Sequence, residues 1–63
     1  MEYIVFKAYD NAFDRILPSW HEVTKFIGSK ARKHNYGIFR QWEQDGVYYF
    51  DIGPTVYKVI QKI

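Results

Sequence analysis

Few residues in this chain combine the type and the spacing that covalent chemistry needs. His21 and His34 are its only histidines, and it contains no cysteine. Their separation fits no common zinc-ligand pattern, and without thiolate partners the pair implies no metal site. His21 is followed by Glu22, yet adjacent helical residues point about 100° apart, so the two do not form an acid–base pair. Ser19 is better placed to cap a helix than to act as a nucleophile. Gly28, Gly37, Gly46 and Gly53 stand singly, which leaves no glycine-rich loop to cradle a phosphate. A chain of 63 residues also has little material with which to wall a pocket off from water. The residues therefore predict no catalytic site, no cofactor and no metal.

What the chain does offer is binding chemistry. Residues 23–42 carry Lys25, Lys30, Arg32, Lys33 and Arg40 with no acid among them. Glu2, Asp10, Asp14 and Glu22 precede this block, and Glu43, Asp45 and Asp51 follow it. A basic block of this kind is commonly a solvated helix face, and it can also neutralise phosphates. Trp42 and Tyr49, on one surface with Arg40, have the chemistry to stack on bases or to anchor a protein partner. The candidate contact residues are thus Lys25, Lys30, Arg32, Lys33, Arg40, Trp42 and Tyr49.

Positioning these side chains requires a folded domain, and the composition provides for one. Of all residues 48% are hydrophobic and 21% aromatic, far from the composition of a disordered chain. A domain this small buries only ~60% of the surface its unfolded chain exposes. With no disulfide to help, large aromatic side chains must supply the core. One domain, residues 1–63, is expected. The longest unbroken apolar run is four residues, far short of a membrane span. The opening Met1-Glu2-Tyr3-Ile4 has neither the basic segment nor the apolar stretch of a secretory signal. The expected location is the cytoplasm.

Along the chain, residues 2–9 are rich in β-branched and aromatic side chains and read as a strand. Alternation predicts Ile4, Phe6 and Ala8 on its core face. Asp10-Asn11 opens a loop, from which Phe13, Ile16 and Leu17 are expected to fold back onto the core. Ser19-Trp20-His21-Glu22 matches a capping box, in which the Ser19 hydroxyl accepts from the Glu22 amide and Glu22 reaches back. Trp20, Val23, Phe26, Ile27 and Ala31 then follow helical spacing. His21, Lys25, Ser29 and Arg32 fall opposite them, flanked by Lys30 and Lys33. The helix is expected to pass Gly28 and to end near His34-Asn35, before Gly37.

Asp45-Gly46 is a favoured two-residue hairpin turn. It predicts strands that pair Gln44 with Val47, Trp42 with Tyr49, Arg40 with Asp51 and Phe39 with Ile52. Phe39, Tyr48, Phe50 and Ile52 then share the core face, while Arg40, Trp42, Val47, Tyr49 and Asp51 share the other. Gly53-Pro54 ends this strand. The tail, residues 55–63, fits helical spacing, but its Val, Ile and Tyr content favours a strand.

The predicted fold is α+β: β-α-β-β with a further terminal strand, one helix packed on an antiparallel sheet. An alternative rests on His21 to Gly28 followed by Arg40 to Val47, which loosely resembles a winged helix-turn-helix of the MerR/excisionase kind. That resemblance implies a first helix ending at Gly28 and a second helix before a glycine-marked wing. The stretch from Gly28 to Arg40 is longer than that family's turn. The expected function is a non-enzymatic binding module, with nucleic acid as ligand and a regulatory role. The alternative is an inhibitor or adaptor that takes a host protein through the Trp/Tyr/Arg hairpin face. In size and composition the chain is similar to small phage or plasmid regulators. A homodimer through an exposed edge, residues 2–9 or 55–63, is a further expectation.

Overall fold

A computed structural model describes residues 1–33, 40–53 and 55–62. Along them run β1 (Tyr3–Lys7), β2 (Ala12–Leu17), α1 (Trp20–Lys33), β3 (Arg40–Gln44), β4 (Val47–Asp51) and β5 (Val56–Gln61). The strands form one antiparallel sheet in the order β2-β1-β5-β4-β3. The helix covers one face of it. The α+β architecture is the expected one, with one strand more than the sequence reading supplied.

The helix starts where its cap predicts. The Ser19 hydroxyl accepts from the Glu22 amide at 3.3 Å, and the Ser19 carbonyl accepts the first helical bond from the Val23 amide at 3.1 Å. The reciprocal half of the box gives way to an ion pair: the Glu22 carboxylate lies 3.7 Å from the Lys25 ammonium. From Trp20 the helix runs unbroken past Gly28 to Lys33. Its expected end at His34-Asn35 lies outside the described residues, as does Gly37. Val23, Phe26, Ile27 and Ala31 are buried, as their spacing predicts. Trp20 docks the first turn onto the sheet, its ring centroid 5.3 Å from Tyr3, 4.7 Å from Tyr48 and 6.0 Å from Phe50. Aromatic packing of this kind contributes about 0.5–1.5 kcal/mol per pair beyond the area it buries.

The hairpin follows its turn chemistry. Asp45 and Gly46 both take positive φ, 53° and 80°, as a type I′ turn requires. The resulting register pairs Arg40 with Asp51, Trp42 with Tyr49 and Gln44 with Val47. The expected Phe39–Ile52 pair and the place of Phe39 lie outside the described residues, but Tyr48, Phe50 and Ile52 do face the helix. The tail is a strand, and β5 takes the centre of the sheet between β1 and β4. Tyr57 and Val59 on it are buried.

Three expectations need correction. Val5 is fully buried and Tyr3 packs beside it, so β1 turns Ile4 and Phe6 away from the helix. Both faces of β1 are apolar, and alternation alone does not say which is covered. Secondly, the segment after Asp10-Asn11 is a strand, β2, with Asn11 at φ 57° in the turn. Only Leu17 of its apolar residues joins the core, while Phe13 and Ile16 remain 61% and 44% exposed. Thirdly, β1 and β5 are interior strands, so neither offers a free edge for a dimer; β2 and β3 are the edges.

Gly28 and Gly46 give opposite expectations for one substitution. A Cβ at Gly28 meets nothing within 4 Å, so Gly28→Ala should stabilise the fold by up to about 1 kcal/mol through helix propensity. Gly46 has equal space but φ +80°, so Gly46→Ala should destabilise it. Urea unfolding of the two variants reads both signs.

Candidate nucleic-acid interface

The face of the sheet away from α1 follows from register and alternation. One row of partners crosses all five strands: Phe13, Phe6, Lys58, Tyr49 and Trp42. At ~4.8 Å per strand the row is about 19 Å long. The next row is aliphatic, running Ile16, Ile4, Ile60 and Val47 to Gln44 at the β3 edge. On the other side of the aromatic row lie Val56, Asp51 and Arg40. Among the described residues no element packs over these rows.

The aromatic row is ordered by its own contacts. Phe6 and Phe13 meet edge to face at 6.3 Å. Trp42 and Tyr49 stack 5.0 Å apart with planes 10° from parallel. The Arg40 guanidinium lies 4.5 Å from the Trp42 ring centroid, and the Lys58 ammonium 5.4 Å from that of Phe6. Lys58 also donates a hydrogen bond to the Asn11 side chain in the β1–β2 turn. Arg40 and Asp51 are register partners, yet Asp51 accepts from the Gly53 amide at 3.1 Å while Arg40 turns to the indole.

The sequence-predicted residues therefore divide between two surfaces. Arg40, Trp42 and Tyr49 come together on the open sheet face. Lys25, Lys30, Arg32 and Lys33 lie on α1, on the opposite layer. There a cleft of about 450 Å³ runs between α1 and β2, lined in part by Lys25, Lys30 and Lys33 together with Arg15. Arg32 is exposed on the helix and does not line it. Sequence reading missed Phe6, Phe13 and Lys58 on the sheet and Arg15 at the cleft. An apolar residue alternating on both faces of β1 was the available signal for Phe6. Lys58, flanked by Tyr57 and Val59, was the signal on β5.

Among the described residues no cluster of His, Asp or Glu is arranged to hold a metal ion. No helix among them is long and apolar enough to cross a membrane. No known protein family, curated protein or solved structure matches the chain.

Beneath the cleft, Tyr57 is the titratable group that the fold perturbs among the described residues. Burial pushes its pKa above the ordinary 10.0, the Asp14 carboxylate raises it further, and the Arg15 guanidinium opposes them. Asp14 occupies the bulge where β2 slips against Val5 and Phe6, and it pairs with Arg15 at 2.7 Å. The unfolded chain ionises this tyrosine at lower pH than the fold does. Its contribution to stability is thus complete below about pH 10 and is lost as pH rises towards the folded value. Tyr57→Phe removes the titration. Urea midpoints at about pH 8 and about pH 11 should fall further apart for the wild type than for Tyr57→Phe; equal differences would contradict this account.

Proposed function

We propose that this chain is a non-enzymatic binding module that takes single-stranded nucleic acid across the open face of its sheet. The observation that carries the reading is Lys58. It sits mid-way along the central strand, flanked in register by Phe6 and Tyr49, with Phe13 and the Trp42–Arg40 pair beyond. Aromatic side chains on a sheet provide π-faces for successive bases, and cations between them meet the phosphates. A second copy of the chain is a poorer occupant. Two such faces packed about a central two-fold axis would bring their Lys58 ammonium groups together, and like charges in a closed interface cost several kcal/mol. An anionic strand turns the same lysine into an attraction. A regulatory role fits a binding module of this size.

The aliphatic row gives specific support to a second reading. Ile16, Ile4, Ile60 and Val47 form a contiguous apolar strip that bases do not require, and such strips mark protein contacts. On that reading a host protein covers the strip and uses Trp42 and Tyr49 as anchors.

Binding of labelled single-stranded DNA and RNA, measured by anisotropy between ~50 and ~200 mM salt, separates the two. By alternation Lys62 also lies on this face, but it is paired with Glu2 at 3.3 Å. With Lys58 and Arg40 as the cations of the face without an ion pair among the described residues, log K against log salt should fall with a slope of about −1.4. Lys58→Gln should reduce the slope by about 0.7. Phe13→Ala should weaken binding by about 1–3 kcal/mol while leaving the fold intact, since the ring is 61% exposed. Failure of both nucleic acids to bind at ~50 mM salt would overturn the proposal. Loss of a protein partner in Ile16→Asp, with Phe13→Ala unaffected, would favour the second reading.

A further inference from the structure

We propose that the cleft between β2 and α1 is a second, separate binding site, for a compact ligand group of two or more linked phosphates. Its cations converge from two elements. Arg15 comes from β2, and Lys25, Lys30 and Lys33 come from α1. Lys25, Ser29 and Lys33 are spaced by four and so lie along one line of the helix, with the Ser29 hydroxyl between two ammonium groups. Glu22 is the single carboxylate in the lining.

Two of the four cations are held in place before any ligand arrives. The Arg15 guanidinium lies 4.2 Å from the centroid of the Phe26 ring, and the Lys30 ammonium lies 5.6 Å from the same ring. Phe26 is itself locked in the core against Tyr57, with centroids 5.4 Å apart. One buried ring thereby fixes two cations from different elements, which lowers the entropy lost when both contact one anion. Arg15 is partly neutralised by Asp14 at 2.7 Å, and Lys25 by Glu22 at 3.7 Å. Among the described residues Lys30 and Lys33 form no ion pair.

Complementing the helix dipole explains basic residues in a last turn. It explains Lys30 and Lys33, but neither Lys25 in the middle of the helix nor Arg15 on the neighbouring strand. The dipole also disfavours an anion beside the last carbonyls, so the phosphates are expected nearer Arg15, Lys25 and Ser29. A volume of about 450 Å³ lies in the range of small-molecule sites and exceeds what one phosphate fills. The inference does not depend on the sheet-face reading, because the two surfaces belong to opposite layers.

The test is an amide NMR titration with inorganic pyrophosphate at about 150 mM salt, where diffuse attraction is screened over ~8 Å. Shifts should concentrate on residues 15, 25, 29, 30 and 33 and leave Phe13, Tyr49 and Lys58 unmoved. Lys25→Gln and Lys30→Gln should each weaken binding about tenfold, and Lys33→Gln, beside the last carbonyls, should weaken it less. Lys62→Gln is the control, because Lys62 pairs with Glu2 at 3.3 Å and does not line the cleft. An equal loss in Lys62→Gln, or shifts spread over every surface lysine, would reduce the effect to net charge and overturn the proposal. So would the absence of shifts at the cleft. A parallel titration with a single-stranded oligonucleotide distinguishes the phosphate source. Cleft shifts with pyrophosphate alone assign the site to a free oligophosphate, and cleft shifts with both extend it to a strand's backbone.

Discussion

One amphipathic helix has to cover a five-stranded sheet, and the rest of the molecule follows from that mismatch. α1 has 14 residues, so it is about 21 Å long and only ~10–12 Å wide with its side chains. The sheet beneath it spans about 19 Å between its edge strands. The helix therefore seals β1, β5 and β4, where Val5, Val59, Tyr57 and Phe50 are buried. On β3 the residues that point to the helix side are Gln41 and Glu43, both exposed. Trp20 makes the coverage efficient. Its ring touches Tyr3, Tyr48 and Phe50, residues of two strands that are not neighbours in the sheet, and so ties the helix N-terminus across β5.

With α1 on the near face, the far face of the sheet has no covering layer among the described residues. A sheet with one solvated face normally alternates apolar and polar residues. Here β1 places Ile4 and Phe6 outward, and β4 places Val47 and Tyr49 outward, so both sides of the central strands are apolar. The outward residues gain partial cover from one another, as the stacked Trp42 and Tyr49 and the crossed Phe6 and Phe13 do. That contribution is modest, about 0.2–1 kcal/mol per cross-strand pair. Such pairs leave Phe13 and Ile16 exposed to water, and the proposed ligand would cover them.

Where one local signal decided an element, the sequence was legible. Ser19 and Glu22 located the helix start, and the spacing of Val23, Phe26, Ile27 and Ala31 located its buried stripe. Asp45-Gly46 set a register that holds from Arg40 to Asp51. Where a decision depended on the whole sheet, reading failed. Ile4 and Phe6 are as apolar as Tyr3 and Val5, so the covered side of β1 is settled only by where α1 docks. β2 escaped notice because the bulge at Asp14 shifts its parity, placing Phe13 and Ile16 on the same face three residues apart. The candidate site was half legible for the same reason. Arg40, Trp42 and Tyr49 meet through a turn of two residues. Phe6, Phe13 and Lys58 join them only through strand order, which places the last strand at the centre.

Strand order also separates the two kinds of charge. The acid-free block of residues 23–42 reads as one basic surface, but its cations leave the helix on one layer and Arg40 leaves β3 on the other. Net charge therefore says little about either surface. The cleft holds four cations against one carboxylate, while the open face, among the described residues, holds Lys58, Arg40 and Lys62 against Asp51 and Glu2. On the proposed function, a surface with so small an excess of charge would draw its affinity from contact area and stacking, with electrostatics setting orientation. Lys58 suits that division. It is tethered to Asn11 at the centre of an apolar field, where, on the proposed function, a single cation would orient an anionic strand and oppose a second copy of the same face.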